Sequence, residues 1–346
     1  MNDNGVISCP IIHNVSVNQR SDTPVAQQLS SPRHSLIWAL RIAVLVLVCL
    51  GVGGTARNAL AELSQQQWHV QPGWLVASGV LYAVGLVPMA WFWHRALAAL
   101  GQPAPWPASL RAYFFGHLGK YVPGKALAII LRVAAVRKWV ASTRVAIVCS
   151  LLETLTMMAV GAFLAAALSV VVLHLEPALA ALALAIALVV GLPTLPPVAR
   201  RLARVGVDRL KQQDELNLPA PIPANANASL HGINWRLLAT GWLAACVCWL
   251  LLGLSLWATL RAMGLDRLDP IADLPLLIAA VSFAVVAGFA SMLPGGLVVR
   301  DALLMQLLTP SCGAANALVA AVLMRLVWLV SELVVCVILY VAAKIR

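Results

Sequence analysis

The sequence predicts an all-α, polytopic transmembrane helix bundle of about seven to eight spans with two re-entrant or broken helical segments. Hydrophobic residues make up 61% of the 346-residue chain and charged residues only 11%, which is too little charge to cover a soluble domain. The apolar residues fall into long runs, several of which reach the ~20 residues needed to cross a hydrocarbon core. Two proline-glycine pairs interrupt this apolar sequence, and basic residues follow each of them.

The elements follow in chain order. Residues 1–33 are polar and lack the apolar core of a signal peptide, so we expect a disordered cytoplasmic tail before a transmembrane domain at 34–346. Tryptophans at both ends of the second apolar run fit the aromatic belts of a bilayer interface. The long apolar runs predict spans at 36–54, 74–93, 145–173, 178–195, 235–263, 271–292 and 314–343.

Three further apolar segments are too short to cross a bilayer alone. Segments 108–118 and 126–136 flank the first proline-glycine pair, which predicts a re-entrant hairpin over 108–138 with its tip at 121–124. Two amphipathic helices lying on the cytoplasmic surface are the alternative. Segment 297–308 follows the second pair. If it is re-entrant, the C-terminus lies outside, and if it crosses, there are eight spans.

The distribution of charge predicts the orientation. The chain carries 24 basic and 13 acidic residues, and the basic ones gather at 95–144 and in a loop at about 199–234. By the positive-inside rule these regions and the N-terminus are cytoplasmic, in the cell (inner) membrane. The chain has no soluble basic module, so nucleic acid is excluded as a partner. Its histidines and cysteines lack metal-ligand spacing, so no metal or cofactor is expected.

Charged residues inside apolar segments are the candidate functional residues, because each costs roughly 2.5–3.5 kcal/mol to insert. Glu153 and Arg325 lie at comparable depth in different spans, which predicts a buried pair or a headgroup-binding couple. A salt bridge that only fixes helix packing is the alternative. Arginines and glycine-rich breaks suit a lipid phosphate. The predicted headgroup-binding residues are Lys120, Pro123, Gly124, Lys125, Arg132, Glu153, Pro294, Gly295, Gly296, Arg300, Asp301 and Arg325.

Four of these features, in order, resemble the lysylphosphatidylglycerol synthase transmembrane-region family of flippase-like membrane proteins. They are K-Y-V-P-G-K at 120–125, Glu153, L-P-G-G-L-x-x-R-D at 293–301, and Arg325. The family pattern reads P-G-G-L-G-x-R-E, and here Val298 and Asp301 replace its third glycine and its glutamate. The resemblance implies a lipid translocation domain. It also implies no transferase in this chain, since fused members carry that domain on a long C-terminal extension.

The leading hypothesis is therefore a translocator of a phospholipid or lipid-linked precursor that binds an anionic headgroup in a polar groove. Glu153 is the candidate proton-linked group. A non-transporting scaffold beside a lipid-modifying enzyme of envelope synthesis is one alternative. A membrane-embedded transferase is another, with an acidic cluster at Asp266, Asp269 and Asp273 as its candidate site.

Overall fold

A computed structural model describes residues 70–121, 126–172, 177–214, 230–291, 293, 296 and 298–345. Over these residues the chain is all-α, with ten α-helices and no strand. The predicted tail and the first predicted span lie outside the described residues. In chain order the helices are α1 Pro72–Ala99, α2 Trp106–Leu118, α3 Ala126–Val136, α4 Thr143–Val172, α5 Pro177–Gly191, α6 Pro196–Asp214, α7 Trp235–Ala262, α8 Leu274–Ala290, α9 Val299–Cys312 and α10 Ala314–Ile345.

Four described helices, α1, α4, α7 and α10, are long and apolar enough to cross a membrane. Each coincides with a predicted span. Helix α8 is equally apolar but has 17 residues, and α5 has 15. The total of seven to eight spans therefore stays a prediction.

Helices α1 and α7 pack against each other along their length and form the centre of the bundle. Glycines let the helices approach closely, as is common between membrane helices. A Cβ at Gly161 of α4 would lie 2.5 Å from the ring of Trp249 in α7, and one at Gly253 would lie 2.6 Å from Ile278 in α8. Helices α4, α7 and α8 are thus held together by interlocking small and large residues.

Helices α2 and α3 form the predicted hairpin of two short helices. They pack tightly, since a Cβ at Gly119 would lie 2.7 Å from the backbone nitrogen of Ala128. Helix α2 also contacts α1 and α10, whereas α3 contacts α4. The hairpin therefore packs between α1 and α10 on one side and α4 on the other. Its depth in the bilayer stays a prediction, and residues 122–124 of its predicted tip lie outside the described residues.

The segment at about 199–234 was predicted as a basic loop, but its first part is helical, because α6 extends over Pro196–Asp214. Charge dominates this segment and hides its periodicity, but Ala199, Ala203 and Val207 are buried at intervals of four residues. That spacing is one face of an α-helix. The buried face packs against α4, where a Cβ at Gly206 would lie 3.9 Å from Val148.

Candidate anion-binding site

The last residues before the first break join helices α1, α2 and α10. Lys120, directly after α2, forms an ion pair with Glu332 of α10. The Lys120 ammonium also donates a 3.0 Å hydrogen bond to the Tyr82 hydroxyl, and that hydroxyl donates to Glu332. Glu332 is fully buried, whereas 29% of the Lys120 side chain is exposed. The lysine thus reaches from a buried carboxylate to the surface of the site.

The first residues after the second break meet the same helix. Arg325 of α10 forms an ion pair with Asp301 of α9, and Arg300 Nε lies 3.4 Å from the Asp301 carboxylate. The Arg300 guanidinium lies 5.2 Å from the centre of the Trp328 ring, within the range of a cation–π contact. A cation beside each break therefore contacts α10: Lys120 before the first break and Arg300 after the second.

Trp328 connects the two halves of this arrangement. Its ring stacks on Tyr82 at 4.4 Å, with the two planes 12° apart. Its indole N–H donates a 3.0 Å hydrogen bond to Ser255 of α7. Arg325, Trp328 and Glu332 are separated by three and four residues, so they share one face of α10.

We call Lys120, Arg300, Asp301, Arg325 and Glu332 the basic cluster. Its three cations and two carboxylates leave a formal charge of +1. One guanidinium nitrogen of Arg300 (Nη2) and one oxygen of Glu332 (Oε2) are buried without a hydrogen-bond partner among the described residues. An anion can supply acceptors to the cations of this cluster.

The backbone of the second break lies directly against Arg300. Gly296 has a φ of +65°, and a Cβ on it would lie 3.0 Å from Gly288 and 3.3 Å from the Cβ of Arg300. Only glycine combines this backbone with so close a contact. Val298 has a φ of +68°, a region that costs a β-branched residue of order 1–3 kcal/mol. Val298 thus occupies a backbone conformation that favours glycine.

A second buried ion pair holds the hairpin to α4. Arg132 of α3 donates a 2.6 Å hydrogen bond to Oε2 of Glu153, and the Tyr113 hydroxyl of α2 donates to Oε1 at 2.9 Å. The Arg132 guanidinium also lies 4.2 Å from the centre of the Tyr113 ring. We call Tyr113, Arg132 and Glu153 the hairpin lock. Its two charges cancel.

The expected pairing of Glu153 with Arg325 is wrong. Glu153 bonds to Arg132, and Arg325 bonds to Asp301. Sequence gives the depth of a residue in a span but not the direction in which it faces, and each partner found here comes from a short helix beside the span. Glu153 contacts Arg132 and Tyr113, and its role as a headgroup-binding or proton-linked group stays a prediction.

The predicted site residues thus divide into three groups. Lys120, Gly296, Arg300, Asp301 and Arg325 meet at or beside the basic cluster, and Arg132 and Glu153 form the lock. Tyr82, Tyr113, Trp328 and Glu332 were not predicted, although Glu332 lies two turns from Arg325 on the same helix face. The remaining predicted residues lie outside the described residues: Pro123, Gly124, Lys125, Pro294 and Gly295.

Residues 36–336 match the family described as "Lysylphosphatidylglycerol synthase TM region". The chain belongs to this family. The match includes every residue of the basic cluster and the hairpin lock, and it identifies a multi-pass membrane protein linked to lipid handling. A search of curated proteins finds no match. Within the described ranges, no three histidine, cysteine or acidic side chains come together as a metal site.

Proposed function

We propose that this family member translocates an anionic phospholipid or lipid-linked precursor across the cell (inner) membrane. The headgroup would bind at the basic cluster while the acyl chains remain in lipid. The observation that carries the proposal is the charge of that cluster, where three cations from both breaks and from α10 face only two carboxylates.

The chemistry of the cluster favours a phosphate. Arginine keeps its charge at any physiological pH and presents planar, paired donors that match phosphate oxygens. Arg325 and Lys120 are partly exposed, so an anion can reach them without unfolding the bundle. The net charge of +1 equals the charge of one phosphodiester in magnitude and is opposite in sign.

The two breaks support a path as well as a binding site. Broken helices at membrane depth are tolerated where they line a cavity, and paired breaks point to the substrate site of transporters. Lys120 directly precedes the first break, and Arg300 closely follows the second. Lys120 pairs with Glu332 and Asp301 pairs with Arg325, and both partners lie on one face of α10, which supports a single site between the two breaks.

The test is flux of labelled lipid through purified, reconstituted protein. Fluorescent phosphatidylglycerol and phosphatidylcholine are placed in vesicles, and an external reductant bleaches the label that reaches the outer leaflet. Arg300→Gln should slow phosphatidylglycerol flux at least about tenfold, because a hydrogen bond to a charged group contributes ~1.5–3 kcal/mol and 1.4 kcal/mol is a factor of ten. Arg267→Gln removes one charge from the exposed turn at 264–273 and serves as the matched control.

Three outcomes decide the proposal. Phosphatidylglycerol flux that is lost in Arg300→Gln and retained in Arg267→Gln supports it. Equal flux in both variants would reject the basic cluster as the headgroup site. Binding of phosphatidylglycerol without any flux in the unmodified protein would reject translocation and favour the scaffold alternative.

A further inference from the structure

Helix α6 presents three different faces around its circumference. The first face, Ala199, Ala203 and Val207, is buried against α4. The second contains Leu202 and Val205, which are 46% and 45% exposed, and the exposed Arg209 one turn after Val205. The third contains the exposed residues Arg201 and Arg204 and, beside them, the exposed Asp208. At about 100° per residue, the apolar exposed face and the arginine face lie on opposite flanks of the buried face.

The position of α6 along α4 places it near one end of a candidate span. Gly206 lies opposite Val148, which is five residues from the start of α4 and therefore roughly 7–8 Å along its axis. Arg144 lies in the first turn of α4, and Arg137 and Lys138 precede it. A helix beside the first turns of a span lies at the depth where hydrocarbon meets headgroups.

The two ends of the bundle differ in charge. Arg95 and Arg236 line a cleft of about 390 Å³ between the end of α1 and the start of α7. The same end carries α6, because residues 230–232 contact α6 and Gly232 packs against Ala99. The turn at 264–273, at the opposite ends of these helices, contains three aspartates and a single arginine.

We infer that α6 is an interfacial helix that binds the anionic phospholipids of the leaflet on which the basic end of the bundle lies. Leu202 and Val205 contact acyl chains, and Arg201 and Arg204 contact headgroup phosphates. Exposure of leucine and valine to water does not stabilise the protein, whereas their burial among acyl chains does. Helices that lie in the surface of a membrane bury an apolar face in this way. This contact is separate from the proposed headgroup site in the bundle and does not depend on translocation.

The test compares amide deuterium uptake of 196–214 in full-length protein in nanodiscs of phosphatidylcholine, with and without phosphatidylglycerol. A basic residue near an anionic surface contributes ~1 kcal/mol, or about fivefold in affinity. The double variant R201Q/R204Q should therefore need more than tenfold more phosphatidylglycerol for equal protection. High salt should weaken the effect in the unmodified protein. Arg267→Gln, at the other end of the bundle, should behave as the unmodified protein.

A second variant tests the apolar contact. L202S/V205S should increase uptake in α6 in both nanodiscs while uptake in α1 stays unchanged, which shows that the bundle remains folded. Uptake in α6 that does not depend on phosphatidylglycerol would overturn the inference.

Discussion

The hairpin lock predicts a large loss of stability from the loss of one charge. Glu153→Gln keeps the shape of the side chain but leaves Arg132 buried without a counter-ion. Removing one partner of a buried ion pair typically costs about 3–5 kcal/mol. In a chain of this size, 1 kcal/mol shifts the melting temperature by roughly 2 °C, so we expect a decrease of about 6–10 °C.

The assay is thermal unfolding in detergent. Unfolding is detected by a thiol-specific dye that reacts with the buried cysteines Cys149 and Cys248 once they become exposed. Asp266→Asn is the matched control, since it removes an acid from the pair of Arg261 and Asp266, whose aspartate is exposed. Exposed pairs contribute ~0–1 kcal/mol, so this control should shift the melting temperature by at most about 2 °C. Equal shifts in the two variants would refute the assignment of the lock.

Three further predictions concern single positions. Val298→Gly should raise the melting temperature, because relief of about 1–3 kcal/mol of backbone strain exceeds the ~0.5–1 kcal/mol entropy cost of glycine. An unchanged melting temperature would show that the backbone at Val298 is not strained. Gly232→Ala should destabilise the protein by about 1–3 kcal/mol, since its Cβ would overlap the Ala99 carbonyl oxygen, whereas Gly73→Ala meets open space and should be tolerated in the same melting assay. Asp269→Ala should speed amide exchange in its turn, where two backbone N–H groups bond to the carboxylate and lower its pKa. In the unmodified protein, the stabilisation of the turn by the Asp269 carboxylate should be fully present above the ordinary aspartate pKa. It should be lost as the pH falls through the lowered pKa of Asp269.

The sequence predicted the long described helices well because apolar runs of spanning length have few alternatives. Four of the predicted spans correspond to α1, α4, α7 and α10. The short helices beside the first break were also predicted, because a proline-glycine pair interrupts a helix whatever surrounds it. These features depend on local sequence alone.

Contacts between helices were predicted less well. Helix α6 was hidden because its arginines outnumber the small residues of its buried face. The ion pairs formed differently from expectation because α2, α3 and α9 place Lys120, Arg132 and Asp301 against the spans. The direction in which a helix faces is determined by packing partners that are distant in the sequence. A single sequence does not reveal which residues those partners are.

The two ion pairs of the hairpin differ in a way that bears on movement. Glu153 accepts a hydrogen bond on each carboxylate oxygen, from Tyr113 of α2 and from Arg132 of α3, so separating the hairpin from α4 breaks both. Glu332 receives both of its donors, Lys120 and Tyr82, on one oxygen, and the other has no partner among the described residues. A bound anion can draw Lys120 toward itself while Tyr82 still donates to Glu332.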